Sequence, residues 1–104
     1  MIKAEIFKTG GKISGFSING HSQTAPRGQD IYCAGVSSLV QSAYLCIEKH
    51  LKRKFEGSQA DGSLTLKLKN PPDELTEAVF QTMLIGLLEI EKLVPKALKV
   101  EIKD

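Results

Sequence analysis

The strongest constraint on the fold is the spacing of apolar residues, which switches along the chain between a period of two and a period near 3.6. A period of two places apolar side chains on one face of a strand, and a period of 3.6 places them on one stripe of a helix. Segments 2–8, 64–69 and 98–103 alternate, and a returning strand is indicated from Ile13 to Ile18. These patterns predict four strands.

Two longer segments have the helical period. The first begins at Asp30, a natural N-cap, and its apolar stripe continues to Leu51. The second begins at Asp73 and Glu74, where acidic side chains favour a helix start, and Pro95 ends it. Its main stripe consists of Leu75, Val79, Met83, Leu87, Ile90 and Val94.

The element order is therefore β-β-α-β-α-β. Two helices on one face of a four-stranded, mostly antiparallel or mixed sheet would bury both stripes, so residues 1–104 are expected to form a single two-layer α+β domain. Adjacent glycines at 10 and 11 predict a hairpin turn, and residues 57–62 are expected to be a turn-rich connector. Three apolar residues of the second helix lie outside its main stripe and form a candidate dimer surface: Phe80, Leu84 and Leu88.

Composition excludes several classes of protein. With 41% apolar and 25% charged residues the chain resembles ordinary globular domains, and a net charge of +2 does not by itself indicate a polyanionic partner. The sequence contains neither a signal-peptide pattern nor an apolar run long enough for a membrane helix. We therefore expect a cytoplasmic protein whose two cysteines are reduced thiols.

One pair of residues points to chemistry. His21 follows a predicted strand, and Cys33 lies in the first turn of the following helix. The N-terminus of a helix carries partial positive charge, which stabilises a thiolate, and a neutral imidazole can accept the thiol proton. Cys33 is therefore a candidate nucleophile and His21 its candidate base. The alternatives are a small apolar residue at a helix start for Cys33 and a turn histidine for His21.

Two neighbours could support this pair. Asp30 could cap the helix by accepting hydrogen bonds from first-turn amides, or it could orient a protonated His21, although its charge would oppose a thiolate. Ser37 lies one turn beyond Cys33 on the same helix face, where its hydroxyl could support the thiol or bond back to the Cys33 carbonyl. The sequence leaves both choices open.

The remaining candidate ligands do not form a site. Cys46 lies in the middle of the predicted helix and is assigned to packing. A zinc site with His21 and His50 would need both cysteines, but thirteen residues of continuous helix would separate them by roughly 20 Å. No metal or cofactor is predicted. The basic residues at the helix end are best explained as a solvated terminus: Lys49, Lys52, Arg53 and Lys54.

The segment Gly28-Gln29-Asp30-Ile31-Tyr32-Cys33-Ala34-Gly35-Val36-Ser37, preceded by Gly20-His21, resembles the signature of the bacterial ribosomal-processing cysteine proteases, the Prp family. The signature is a Gly-His pair after the second strand and a Gly-x-Asp-x-x-Cys-Ala-x-x-Ser segment that opens the first helix. The resemblance is firmest over residues 20–37, and chain length and predicted element order agree over the remainder.

The resemblance implies a cysteine endopeptidase that removes an amino-terminal extension from the twenty-seventh protein of the large ribosomal subunit, cutting beside aromatic residues. It implies His21 as general base, Cys33 as nucleophile, and Gly20, Asp30 and Ser37 as supporting residues. It also implies a homodimer that needs neither a membrane nor direct contact with nucleic acid. The segment 22–29 would be a substrate-gated flap that includes Ser22, Pro26 and Gly28.

Two other functions remain open from the residues alone. The basic helix end allows a noncatalytic module associated with the ribosome or with RNA, and a reactive thiol also allows peroxide sensing. Turnover of a peptide distinguishes the protease from both.

Overall fold

The computed structural model describes residues 1–20 and 30–104, with Asp30 described through its backbone alone. The elements, in chain order, are β1 (Ile2–Thr9), β2 (Lys12–Asn19), α1 (Asp30–Leu45), a π-helical turn (Cys46–His50), β3 (Phe55–Ala60), β4 (Ser63–Leu68), α2 (Glu74–Leu93) and β5 (Leu98–Lys103). Neither α-helix in these ranges is both long and apolar enough to cross a membrane.

The strands form one mixed sheet in the order β3-β4-β2-β1-β5. β1 and β5 are parallel, and the other three neighbouring pairs are antiparallel. The prediction of four strands was wrong, because the expected connector contains most of β3. Its side chains from Glu56 to Ala60 are all exposed, so no apolar alternation marks this strand. Backbone pairing with β4 across a two-residue turn forms it instead.

Both helices pack on one face of the sheet, as predicted, and the core lies between the layers. Phe16 of β2 meets Phe80 of α2 edge to face, with ring centroids 6.0 Å apart. The sheet's other face is more polar, although Phe7 lies on it with the Lys67 ammonium 4.9 Å from its ring centroid.

The two helices run antiparallel. Gly86 of α2 packs closely against Leu39 of α1, and Gly35 of α1 faces Ile90 of α2. Asp73 caps α2: its carboxylate accepts from the backbone N–H groups of Thr76 and Leu75 and pairs with Arg53 at 2.9 Å. Those amides, mainly that of Thr76, together with the nearby guanidinium hold the pKa of Asp73 below its usual value.

Several predicted helix details are corrected by the structure. α1 begins at Asp30, as expected, but it ends at Leu45. The π-helical turn from Cys46 to His50 continues the helical segment beyond it. Cys46 therefore lies at the start of that turn and not in the middle of an α-helix. Leu75, assigned to the inward stripe, is 58% exposed. The dimer surface predicted from the sequence is also wrong, because Phe80 and Leu84 are buried and Leu88 packs against the core.

The end of β2 is tied to two neighbouring segments. The Gly20 N–H donates to the Gly62 carbonyl in the β3–β4 turn at 2.9 Å, and Gly20 has a φ of 90°. A Cβ at this position would lie 2.5 Å from the Met1 carbonyl oxygen. Only glycine satisfies both the positive φ and this close backbone approach.

We expect Gly20→Ala to destabilise the fold by more than Gly11→Ala, the difference being about 1–3 kcal/mol in the free energy of unfolding. Both glycines have positive φ, but nothing lies within 4 Å of a Cβ at Gly11. The comparison therefore isolates the clash with Met1. Urea unfolding of both variants measures it, and equal losses would show that Met1 simply moves away.

Candidate active site

A cleft of about 560 Å³ opens where α1 begins, beside the end of β2 and the β3–β4 turn. Its floor is apolar because the inward-facing side chains of three strands and one side of α1 meet there. Its rim is polar and comes from α1 on one side and the β3–β4 hairpin on the other. The floor residues are Ile2, Ile18, Val36, Val40 and Leu64, and the rim includes Ser37, Gln41, Gln59, Asp61 and Ser63.

Cys33 is placed in this cleft by α1. It is the fourth residue of the helix, half-buried, and packs against the hydrophobic core. Unpaired amides and partial positive charge at a helix N-terminus favour an anion there. The thiol thus lies at the N-terminal end of a helix and beside a volume that can hold a substrate.

Two of the predicted supporting residues share the cleft with Cys33. Ser37 follows one turn later on the same wall, and Gly20 lines the cleft from the end of β2. His21, the flap segment with Ser22, Pro26 and Gly28, and the side chain of Asp30 lie outside the described residues. Their roles stay predictions.

Sequence reasoning missed the wall of the cleft formed by the β3–β4 hairpin. The Gln59 side-chain amide Nε2 on β3 donates to the side-chain amide oxygen Oε1 of Gln41 on α1 at 3.0 Å. Tyr44 and Phe55 form a second bridge, with ring centroids 5.2 Å apart and planes at 78°. Because β3 lacks apolar alternation, no signal in the sequence placed Gln59 in the same cleft as Cys33.

The other candidate groups lie away from the cleft. Cys46 lines a smaller apolar groove between α1 and α2, together with Val79 and Met83. Within residues 1–20 and 31–104, no three histidine, cysteine or acidic side chains are grouped so that they could hold a metal ion. Of the basic residues at the end of the first helical segment, Arg53 is paired with Asp73.

Solved structures from S. aureus and Streptococcus mutans share this fold. The ribosomal processing protease Prp from S. aureus in complex with a substrate peptide is 23% identical, with a TM-score of 0.88 over 99% of this chain and 100% of that chain. Its complex with a covalently linked product peptide is 24% identical, with a TM-score of 0.87 and the same coverage. SMU.848 from Streptococcus mutans is 23% identical, with a TM-score of 0.82 over 99% of this chain and 94% of that chain. At these identities the likeness establishes the fold.

The family assignment comes from the sequence. No curated protein matches the chain significantly. The family model described as "Cysteine protease Prp" matches residues 1–99, which is nearly the whole chain and includes the predicted signature. The chain therefore belongs to the Prp family of cysteine proteases.

Proposed function

We propose that this chain is an endopeptidase that removes an amino-terminal extension from a large-subunit ribosomal protein, the twenty-seventh, with residues 1–104 acting as one peptidase domain. The observation that carries the proposal is the half-buried Cys33 thiol at the N-terminal end of α1, facing a cleft large enough for several peptide residues. The S. aureus structures, which contain substrate and product peptides, support a peptide substrate. A ribosomal substrate would place the enzyme in the cytoplasm.

The proposed reaction is acyl transfer. The Cys33 sulfur attacks the scissile carbonyl carbon while His21 takes the thiol proton. His21 then gives that proton to the leaving amine as the C–N bond breaks, and water hydrolyses the thioester. Amides at the start of α1 are suitable donors to the oxyanion that forms on the carbonyl oxygen.

Connectivity supports His21 as the base. Gly20 lines the cleft, and His21 is the next residue in the chain. Gly20, Asp30 and Ser37 would support the pair. The segment 22–29, which joins Gly20 to α1, would act as the flap over a bound peptide.

The cleft also suggests what the substrate presents to it. Ile18, Val36 and Leu64 form part of an apolar floor next to Cys33, so a large apolar or aromatic side chain beside the scissile bond would bury its surface there. The polar rim leaves hydrogen-bonding groups for the peptide backbone.

We also propose that the enzyme is a homodimer, formed through the side of the helix layer that faces away from the sheet. All eleven residues of this outer helix face are exposed, and the only charged one, Glu89, is paired at 3.5 Å with Lys92 at the margin of the face. Five of the seven exposed large hydrophobic residues in the described chain lie on it. The face comprises Ile31, Ala34, Ser38, Ser42, Leu45, Leu75, Ala78, Thr82, Ile85, Glu89 and Leu93.

The size of the outer helix face fits a second copy of the chain. Helices of 16 and 20 residues are about 24 and 30 Å long. Side by side they cover a flat area of roughly 500–600 Å², and the projecting side chains add to the surface that a partner can contact. A stable interface buries about 800 Å² per partner. The apolar groove of about 290 Å³ between the helices could receive a side chain from the partner.

We expect Cys33→Ala to lower turnover of an extended ribosomal-protein peptide by at least about 10³-fold, because the nucleophile is removed. Mass spectrometry of the peptide after incubation reports both the rate and the cleaved bond. Cys46→Ala is the matched control, since Cys46 lies in the other groove and its loss should leave cleavage intact. Unchanged cleavage by Cys33→Ala would refute the proposed function.

For the dimer, we expect the wild-type chain to sediment with the mass of two copies and Ile85→Glu to sediment as a monomer, because an unpaired carboxylate would be buried at the interface. Ile102→Glu is the control: Ile102 is 50% exposed and Ile85 57%, but Ile102 lies on β5, away from the outer helix face. A wild-type monomer, or a dimer that survives Ile85→Glu, would contradict this surface.

A further inference from the structure

The two edges of the sheet are protected very differently. The β5 edge carries Lys99, Glu101 and Lys103, and Lys103 forms an ion pair with Glu5 at 2.8 Å. Charged side chains of this kind discourage another strand from pairing at an edge. Along β3, the run from Gly57 to Ala60 has neither charge nor proline, and all four residues are exposed. No strand of the described chain pairs with the outer side of β3.

The register of the hairpin determines which β3 backbone groups point outward. Lys69 N–H donates to the Lys54 carbonyl at 3.0 Å, and at the other end Ala60 and Ser63 flank the two-residue turn. Hydrogen-bonded pairs alternate along an antiparallel ladder. Even-numbered β3 residues therefore bond to β4, and the outward N–H and C=O groups belong to Phe55, Gly57 and Gln59.

This outer edge is continuous with the cleft. Gln59 lines the cleft with Cys33, and the Gln59–Gln41 and Phe55–Tyr44 contacts hold α1 alongside β3. Gln41, which meets Gln59, lies eight residues and about 12 Å along α1 from Cys33, a distance that about four residues of extended peptide span. An extended peptide whose scissile bond lies at Cys33 can therefore continue along β3.

We propose that the substrate peptide binds as an added strand on the outer edge of β3, through the backbone groups of Phe55, Gly57 and Gln59. This inference rests on the proposed peptidase function and names how the same site holds its substrate. Backbone hydrogen bonds would supply affinity that does not depend on the substrate sequence. The apolar floor near Cys33 would select the side chain beside the scissile bond. The proposal also explains why the β3 edge is not blocked, since its outward backbone groups must stay available to pair with the substrate.

Amide hydrogen exchange tests the alternation directly. In the Cys33→Ala variant with uncleaved extended peptide, we expect the amides of Phe55, Gly57 and Gln59 to exchange at least about tenfold more slowly than without peptide. Those of Glu56 and Ser58, already bonded to β4, should change little. Slowed exchange of cleft residues such as Ser37 without the alternating effect on β3 would overturn the proposal.

A pair of variants tests the role of one N–H. Gln59→Pro removes the outward amide but no bond to β4, and edge strands tolerate proline at such a position. Gln59→Ala removes the same side chain and keeps the amide. We expect KM for the peptide to be about 5–10-fold higher for Gln59→Pro than for Gln59→Ala, with similar kcat, because one hydrogen bond to substrate is lost.

The outcomes separate the two proposals. If the wild-type chain does not cleave the peptide, the peptidase assignment fails and the added strand fails with it. If the wild type cleaves and both Gln59 variants, folded by circular dichroism, have equal KM, only the added strand is refuted. Loss of the dimer in Gln59→Pro with unchanged KM would show that a second copy occupies the edge, which also refutes the proposal.

Discussion

The close packing of α1 against α2 determines where the Cys33 thiol lies. A methyl group at Gly86 would come within 2.7 Å of Leu39 Cδ1, and one at Gly35 would lie 3.4 Å from Ile90 Cδ1, so the helices approach more closely than larger residues allow. This contact, with the core beneath it, fixes the position of α1 over the sheet. Because α1 is held along its length, its first turns carry Cys33 to the cleft at the strand ends.

The cleft combines two environments that peptide chemistry needs. Its floor is built from core side chains such as Ile18 and Leu64, which exclude water from a bound apolar group. Its upper wall is the beginning of a helix, and backbone amides at a helix start are suitable donors to a developing oxyanion. In the proposed mechanism, the same helix end carries the Cys33 nucleophile and stabilises the intermediate that it forms.

Three sides of this small domain carry separate proposed tasks. The cleft performs the reaction, the β3 edge holds the extended substrate, and the outer helix face joins two copies. The last two surfaces carry few of the charges that keep ordinary protein surfaces apart: β3 has only Glu56, and on the outer helix face Glu89 is paired with the neighbouring Lys92. The opposite edge of the sheet, at β5, carries charged side chains. The scarcity of charge is therefore confined to particular surfaces and does not reflect the composition of the whole chain.

The sequence by itself determined the two-layer α+β class, most element positions, and the family signature around Cys33, because alternation, helical period and a local motif are all properties of neighbouring residues. It did not reveal β3, since a strand held by backbone pairing alone has no side-chain pattern. It also misplaced the exposed face of α2, because Phe80 and Leu84 are inside only when the sheet is present to cover them. Tertiary structure alone decided that the β3–β4 hairpin forms one wall of the cleft, because that contact joins residues far apart in the chain.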